Sequence, residues 1–419
     1  MSTIAQTPGL LKAIRDRFAH VDYCPLEEKS RVFFENAGGA LTLKRVGEIS
    51  AHYATIPDNQ GRANEASKAL VNVINKARAD AAILLNAKSG QIFVGESGTE
   101  LLFRMIRNAV LSAKPEGNVV GSTLEHPATR SAAKRWAGVA KVPHHLAIHN
   151  DDTGTVTVAD YDRVVTPWTT VATIIHTSPV TGMSVDVKAI AAFIRSRAPE
   201  CMIIVDGIQH AAHGDLDIDA YDIDGYAISP YKVFSRHGYG IGWISDKLTM
   251  RAHDELDKGP AGNWELGTRD TGAYATFSAV VEYFEWLGSQ FEPDGSRRQK
   301  IIAAGKAIKA QEHALTHAML HGADNCPGLI DMPDINVIGG IDNPHREGLV
   351  ALTHDNISAA ELVEHLNQRG IRTHVRKADH YSGNILDPLG LDSCVRVSMC
   401  HYNSIDEVKQ FLVALNELQ

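Results

Sequence analysis

Strand-like apolar runs alternate with helix-like stretches between residues 91 and 245, and this alternation constrains the fold more than any other feature of the chain. The apolar runs lie at residues 92–94, 119–120, 171–175, 201–205, 226–229 and 240–244. Helical patterns begin near residues 99, 127 and 186. Such alternation is typical of a mostly parallel sheet with helices on both faces. We therefore predict an α/β fold.

The C-terminal third of the chain has a different organisation. Residues 274–321 are helical in period and length, and we expect them to carry the chain out of the large domain. Strands and helices then alternate again, at residues 348–352, 358–369, 395–398 and 405–418. These patterns predict a large domain over residues 31–275, followed by a linking helix and a smaller α/β domain over residues 276–419.

Composition excludes several classes of function. The 419 residues are 44% hydrophobic and 22% charged, as expected for a globular protein, and the formal net charge is −9 without a basic block. Nothing favours binding to nucleic acid or to a membrane surface. The N-terminus resembles a short amphipathic helix without a signal-peptide core. The five cysteines are sparse and form no CxxC pair, so we expect a cytoplasmic protein without a metal site.

Residues 205–232 carry the strongest chemical signal. An apolar run ends in Asp206, Gln209 follows three residues later, and a second short strand precedes Lys232. An acid at one strand end and a lysine just past the next suit pyridoxal phosphate. The lysine holds this cofactor as a Schiff base, and the acid pairs with its pyridinium nitrogen. The protonated ring can then accept electrons from a substrate carbanion.

The order and spacing of these residues resemble the cysteine desulfurase branch of the class V aminotransferase family. That family shows Asp-x-x-Gln followed by Ser-x-His-Lys, and here the second motif is Ser229-Pro230-Tyr231-Lys232. The resemblance implies a fold type I pyridoxal-phosphate enzyme whose large domain has a seven-stranded, mostly parallel sheet. It also implies that residues 1–30 join the small domain, and that the active site lies at a homodimer interface.

Residues 95–100 resemble the family's phosphate-binding loop. They read Gly-Glu-Ser-Gly-Thr-Glu between a strand and a helix, where backbone amides and the helix N-terminus attract an anion. A simple helix cap is the alternative interpretation of the same residues. The candidate phosphate contacts in this loop are Ser97, Gly98 and Thr99. By resemblance, Ser229 contributes too, and Thr268 reaches the phosphate of the neighbouring subunit.

Further cofactor contacts follow from the resemblance. His126, in a Glu-His-Pro context, matches a histidine that stacks on the cofactor ring, and Tyr231 takes the place of the histidine before the lysine. Pro179 stands where the family has an asparagine that bonds the ring oxygen. Because proline has no side-chain donor, that contact is lost or moved, and Gln209 is expected to remain as the ring-oxygen partner.

The substrate side is predicted from three segments. Arg396 matches an arginine that holds the substrate α-carboxylate, a role that suits a guanidinium. Arg376 lies in a segment that matches the family's active-site loop. Asn36 resembles an entry-loop residue that lines the substrate side, although a plain turn explains its pattern equally well.

The loop at residues 375–382 separates this chain from true desulfurases. It aligns without gaps with a pattern that ends His-Cys-Ala, but the nucleophilic cysteine is replaced by Tyr381. A phenol has an unperturbed pKa near about 10 and cannot carry sulfur as a persulfide. Cys394 and Cys400 flank the Arg396 strand and are expected to be buried.

The resemblance implies an enzyme that forms an external aldimine with an amino acid and then removes the Cα proton, with Lys232 as the base. Three outcomes are open: β-elimination, transamination and epimerisation. We expect β-elimination of the C–S lyase type, in which Tyr381 or His380 protonates the leaving group and His126 assists proton transfer. An aminotransferase or epimerase is the alternative, and a non-catalytic pyridoxal-phosphate-binding protein is a third.

Overall fold

The computed structural model describes residues 3–114 and 116–418. The strands are β1 (Tyr23–Cys24), β2 (Lys29–Ser30), β3 (Val32–Phe33), β4 (Gln91–Gly95), β5 (Asn118–Ser122), β6 (His144–Ala147), β7 (Thr169–Ile175), β8 (Met202–Asp206), β9 (Gly225–Ile228), β10 (Gly240–Ile244), β11 (Ile335–Val337), β12 (Leu349–His354), β13 (Ile371–Arg372), β14 (His374–Lys377) and β15 (Ser393–Ser398).

The α-helices lie between and around these strands. They are α1 (Leu10–Arg15), α2 (Lys44–Ala54), α3 (Glu65–Leu85), α4 (Gly98–Leu111), α5 (Pro127–Ala140), α6 (Val158–Asp162), α7 (Val187–Arg197), α8 (Ile218–Tyr221), α9 (Asp246–Thr249), α10 (Thr271–Ser289), α11 (Arg297–His321), α12 (Ala359–Gln368), α13 (Gly383–Leu386) and α14 (Ile405–Asn416).

A seven-stranded sheet in the order β4-β10-β9-β8-β7-β5-β6 forms the large domain. Strands β5 to β9 run parallel, and β10 is antiparallel to both β9 and β4. This confirms the predicted fold class. The central strand β8 is buried at every position, because successive side chains enter two different cores. Ile204 packs with helices α4 and α5, whereas Ile203 and Val205 face the opposite side of the sheet.

The predicted helical stretch at residues 274–321 is two helices in the structure, α10 and α11. The break falls at residues 290–296, where Pro293 cannot donate the backbone hydrogen bond that a continuing helix requires. Ser296 then caps α11 by accepting a hydrogen bond from the Gln299 amide, and the Gln299 side chain completes a capping box. The sequence pattern located the helices but did not reveal the turn between them.

The C-terminal region has its own antiparallel sheet in the order β11-β12-β15-β14. The N-terminal segment approaches this region, since β3 pairs in parallel with β13 and Arg15 donates to the Tyr402 carbonyl at 2.7 Å. Phe18 nevertheless packs edge-on against Phe234 of the large domain. We propose the division into residues 1–30, 31–275 and 276–419, which keeps each main sheet within one domain.

Over the residues that the structure describes, none of the helices has both the length and the apolar composition required to cross a bilayer.

Candidate active site

The carboxyl ends of several strands meet at one edge of the large sheet and surround a cavity. Segments that directly follow β4, β5, β7, β8 and β9 contribute to it, which is where parallel α/β sheets bind ligands. Its walls are formed by Thr99, His126, Ile175, Thr177, Pro179, Asp206, Ile208, Gln209, Ser229, Tyr231 and Lys232. The cavity therefore brings together most of the cofactor-binding residues predicted from the sequence.

Asp206 is the last residue of β8, and its side chain is buried. Its carboxylate accepts hydrogen bonds from the Ile208 amide at 3.1 Å and from the Thr129 hydroxyl at 3.2 Å. Burial raises the pKa of Asp206, and the Ile208 amide and the positive charge of Lys232 oppose that effect. Among the described residues, no cation is bonded directly to this buried carboxylate, which suits a protonated heteroaromatic nitrogen.

Lys232 follows β9 in a short 3-10 turn and points at Gln209. Its Nζ donates to Gln209 Oε1 at 3.1 Å. Burial lowers the pKa of Lys232 to about 7, the charge of Arg396 adds to this effect, and Asp206 opposes it. A substantial fraction of the amine is therefore neutral near pH 7, which is the form that attacks an aldehyde or accepts a proton.

His126 caps helix α5 with its ring. Nδ1 accepts a hydrogen bond from the Ala128 amide at 3.1 Å, which assigns the proton of the neutral ring to Nε2. Burial, reinforced by the charge of Lys232, lowers the pKa of His126 to about 3. The imidazole is therefore neutral at physiological pH and can stack on an aromatic ring without adding a charge.

The N-terminus of α4 forms a close cradle with the segment after β9. A Cβ atom at Gly98 would lie 2.4 Å from Ser229 Oγ, so only glycine allows the helix end to approach this closely. Thr99 lines the cavity beside them. Ser97 has a different role, because its hydroxyl accepts from the Glu100 amide at 3.1 Å and caps the helix. Gly98, Thr99 and Ser229 are thus the better candidates for phosphate contacts.

Arg396 and Arg376, the two arginines predicted to bind the substrate, lie on the neighbouring strands β15 and β14. Arg396 is 3% exposed and donates from Nη1 to the Pro179 carbonyl at 3.1 Å. Burial lowers the pKa of Arg396 to about 9, and the nearby charge of Arg376 contributes. Among the described residues, Nε of either arginine lacks a hydrogen-bond partner. A buried guanidinium with free donors suits a substrate carboxylate.

The loop that carries Tyr381 is docked on the large domain. Arg130 donates to the His380 carbonyl at 3.1 Å, and Asn384 donates to the Thr123 carbonyl at 2.6 Å. Tyr381 is 45% exposed, and the centroid of its ring lies 6.1 Å from that of His126. The Arg376 guanidinium lies 5.8 Å from the same ring. Tyr381 therefore stands beside the ring that lines the cavity.

Two predicted residues lie outside this constellation. Asn36 is buried, and its amide donates to the Ser398 carbonyl at 2.7 Å while its oxygen accepts from the Tyr402 hydroxyl. These bonds occupy the side chain in holding the entry loop to β15. Thr268 is exposed and is not among the described residues that line the cavity. Its predicted contact needs a neighbouring subunit.

Sequence reasoning missed the partner of Asp206. Thr129 lies three residues after His126 at the start of α5, so a helical projection of that segment could have placed both side chains at the helix entrance. It also overlooked the backbone of Pro179, whose carbonyl orients Arg396.

None of the described cysteines lines the cavity. Cys394 and Cys400 are buried, as expected, and burial raises the pKa of Cys394 to about 12. A reactive thiolate needs a lowered pKa and access to solvent, so Cys394 has neither property.

These side chains fit pyridoxal phosphate. The buried Asp206 carboxylate suits its pyridinium nitrogen, and the Lys232 amine suits its aldehyde. The cradle between Gly98 and Ser229 suits its phosphate, since the α4 N-terminus carries partial positive charge. When bound, this cofactor supplies an electron sink for bonds broken at the substrate Cα.

The chain is similar both to an aminotransferase-like protein and to a cysteine desulfurase-like protein. It is 26% identical to the aminotransferase-like protein FGM3 of Gibberella zeae over 93% of this chain and 95% of that protein. It is 25% identical to the cysteine desulfurase-like protein ustD of Aspergillus flavus over 99% of this chain and 92% of that protein. The apo structure of a cysteine desulfurase from Thermococcus onnurineus superposes with a TM-score of 0.79 at 20% identity, with 97% of each chain covered.

The family comparison covers nearly the whole molecule. The sequence profile described as aminotransferase class-V matches residues 32–411, a span that includes the whole cavity. Members of this family use pyridoxal phosphate, and the fit of the cavity side chains agrees with that. The chain therefore belongs to the class V aminotransferase family of pyridoxal-phosphate-dependent enzymes.

Proposed function

We propose that this protein is a β-eliminating lyase of the C–S lyase type, which acts on an amino acid with a leaving group at Cβ. The observation that carries the proposal is the phenol of Tyr381, held beside His126 where the resemblance places a desulfurase thiol. A phenol can give a proton to a departing sulfur but cannot keep the sulfur.

Arg396 is the proposed anchor for the substrate α-carboxylate. It is buried, it donates to the Pro179 carbonyl, and its Nε has no hydrogen-bond partner among the described residues. Arg376, half-buried next to the Tyr381 ring, adds a second positive charge on that side. An anionic carboxylate that enters this region gains charge-assisted hydrogen bonds, and the amino group of the substrate is then directed toward Lys232.

Lys232 is the proposed base at Cα. Its lowered pKa of about 7 leaves the amine able to accept a proton near neutral pH. Asp206, buried at the end of β8, holds the proton on the pyridine nitrogen. His126 stays neutral and packs against the ring without adding charge. Elimination and transamination both use these roles. The two reactions differ in whether a leaving group departs from Cβ after the Cα proton is removed.

A product screen tests the proposal. The protein is incubated with L-cysteine, S-alkyl cysteines and unsubstituted amino acids, and pyruvate, ammonia, sulfide, thiols, alanine and keto acids are quantified. We expect pyruvate and ammonia in equal amounts, only from substrates with a leaving group at Cβ. Keto acids formed from unsubstituted amino acids, with the amino group kept on the cofactor, would instead establish an aminotransferase.

The Tyr381→Phe variant assigns the proton donor. It retains the ring packing against His126 and removes only the hydroxyl. We expect slower turnover with poor leaving groups such as alkyl thiolates, and a much smaller effect with leaving groups that depart without a proton. Equal rates for the variant and the parent protein with both kinds of substrate would remove Tyr381 from the mechanism and leave His380 as the candidate.

A further inference from the structure

A chain of buried polar side chains extends from Lys232 away from the cavity. Lys232 Nζ bonds Gln209 Oε1 at 3.1 Å, Gln209 Nε2 lies 3.5 Å from His213 Nε2, and His213 Nδ1 lies 2.8 Å from Glu312 Oε2. His213 and Glu312 are 7% and 2% exposed. None of the roles described above uses His213 or Glu312.

The Gln209 amide can take two orientations with the same heavy-atom positions. In the orientation that the structure shows, its carbonyl accepts from Lys232 and its NH2 group is directed at His213, which must then be neutral at Nε2. In the other, its carbonyl accepts from His213 Nε2–H and its NH2 group faces Lys232. A charged His213 and a charged Lys232 cannot both be satisfied, because each carries donors only and the amide has one oxygen.

We propose that the Glu312–His213 pair is a positioning device for Gln209: the ionised Glu312 keeps His213 doubly protonated, and His213 thereby turns the NH2 group of Gln209 toward Lys232 and the cofactor. Lys232 is then favoured as the neutral amine. The inference rests on the proposed function, because the ring oxygen assigned to Gln209 belongs to the bound cofactor.

The electrostatic surroundings support this arrangement. Burial opposes a charge on either member and raises the pKa of Glu312, but the Glu312 carboxylate outweighs burial at His213 and raises the pKa of His213 to about 9. Lys232, in contrast, has its pKa lowered. The other titratable groups that face the pair are Glu347, His401 and Cys400. Of these, Glu347 also favours the charged imidazole, and burial keeps Cys400 a neutral thiol.

The orientation of Gln209 matters because Pro179 stands where the family usually has an asparagine that bonds the cofactor's ring oxygen. Proline offers no side-chain donor, so Gln209 is the remaining side chain expected to donate to the cofactor's ring oxygen. A wrongly oriented amide would place its own oxygen there, and two acceptors would repel each other. The orientation of one amide therefore decides whether that oxygen is stabilised.

A neighbouring histidine–glutamate pair supplies a matched control. His210 Nδ1 lies 2.7 Å from Glu347 Oε1, and both side chains are largely buried. His210 bonds Thr177 as well, at 3.1 Å, but neither His210 nor Glu347 is hydrogen-bonded to Gln209. Glu312→Gln and Glu347→Gln thus remove the same charge from two similar pairs, but only Glu312 is hydrogen-bonded to the histidine that faces Gln209, and Glu347 acts on His213 through its charge alone.

The first measurement is a pH titration of the absorbance of the Lys232–cofactor linkage in the loaded protein. A donor facing the ring oxygen stabilises the negative charge that grows there when the linkage nitrogen loses its proton. Glu312→Gln and His213→Phe should therefore raise the pKa of the linkage by about one to two units, the equivalent of a hydrogen bond to a charged group. Glu347→Gln should shift it much less.

An unchanged linkage pKa in both Glu312→Gln and His213→Phe would overturn the inference while leaving the proposed function intact. Absence of the linkage absorbance in the parent protein, or its survival in Lys232→Ala, would instead overturn the assignment of Lys232 and the inference with it.

The second measurement needs no cofactor and no turnover. Ring-labelled [15N]histidine is incorporated into the cofactor-free protein, and the His213 signals are identified by their loss in His213→Phe. Near pH 7 we expect both ring nitrogens of His213 to be protonated, and one of them to lose its proton in Glu312→Gln. A neutral His213 imidazole in the parent protein at this pH would refute the positioning device.

Discussion

At the scale of single residues, the chemistry of this chain depends on charges held away from water. Lys232 and Asp206 line one cavity, yet burial acts on both in the direction of the neutral form. Pyridoxal phosphate offsets the cost of burying both groups. Its protonated ring nitrogen pairs with the carboxylate, and its aldehyde binds the amine covalently.

Lys232 should capture the cofactor in a pH-dependent manner. The neutral amine is the reactive form, so the rate of capture by the cofactor-free protein should rise with pH up to about 7 and level off above it. Stopped-flow absorbance after mixing with pyridoxal phosphate measures this profile. Borohydride reduction and peptide mapping should label Lys232, and a label on any other lysine would contradict the assignment.

Asp206→Asn should keep part of the cofactor but lose turnover by orders of magnitude, because a neutral amide cannot hold the proton on the ring nitrogen. Thr129→Val is the matched control, since it removes only the hydroxyl that bonds Asp206 and leaves the carboxylate. The loss of turnover in Thr129→Val should be far smaller than in Asp206→Asn. Turnover of Asp206→Asn near that of the parent protein would show that the acid has another role.

The sequence located most cavity residues because each ends or closely follows an apolar run, or begins a helix. Asp206, Gln209 and Lys232 could be predicted in this way. Glu312 could not, because it lies 99 residues beyond its partner His213 in the chain, and only the contact of α11 with the segment after β8 brings them together. Contacts between residues so distant in sequence leave no local pattern.

At the scale of elements, helix ends position the site. The α4 N-terminus reaches Ser229 because Gly98 has no side chain, and His126 enters the cavity wall because it caps α5. The predicted starts near residues 99, 127 and 186 agree with the structure, since Ser97, Pro127 and Asp186 are ordinary start signals. The break between α10 and α11 was missed, although Pro293 was visible in the sequence.

Gly98→Ala tests the cradle. Its Cβ would come within 2.4 Å of Ser229 Oγ, so the helix end or Ser229 must shift. We expect at least a tenfold weaker affinity for pyridoxal phosphate, measured by equilibrium titration, because a tenfold loss needs only about 1.4 kcal/mol. Gly138→Ala is the control, since an added Cβ meets nothing within 4 Å. That variant should bind normally and gain up to about 1 kcal/mol of stability.

At the scale of the whole molecule, one prediction concerns association. We propose a homodimer, because Thr268 is exposed here and matches a residue expected to reach the partner's phosphate. Sedimentation velocity should show a dimer at assay concentration, and Thr268→Ala should bind pyridoxal phosphate more weakly without altering the single-chain cavity. A monomer with full activity would refute this arrangement.

One incubation with L-cysteine distinguishes a β-eliminating lyase from a persulfide-forming desulfurase. The protein is mixed with labelled L-cysteine, alanine and pyruvate are quantified, and the intact protein is examined by mass spectrometry for bound sulfur. Because Tyr381 replaces the thiol and Cys394 and Cys400 are buried, we expect pyruvate, free sulfide and no protein persulfide. Stoichiometric alanine together with a persulfide on a cysteine would contradict the account.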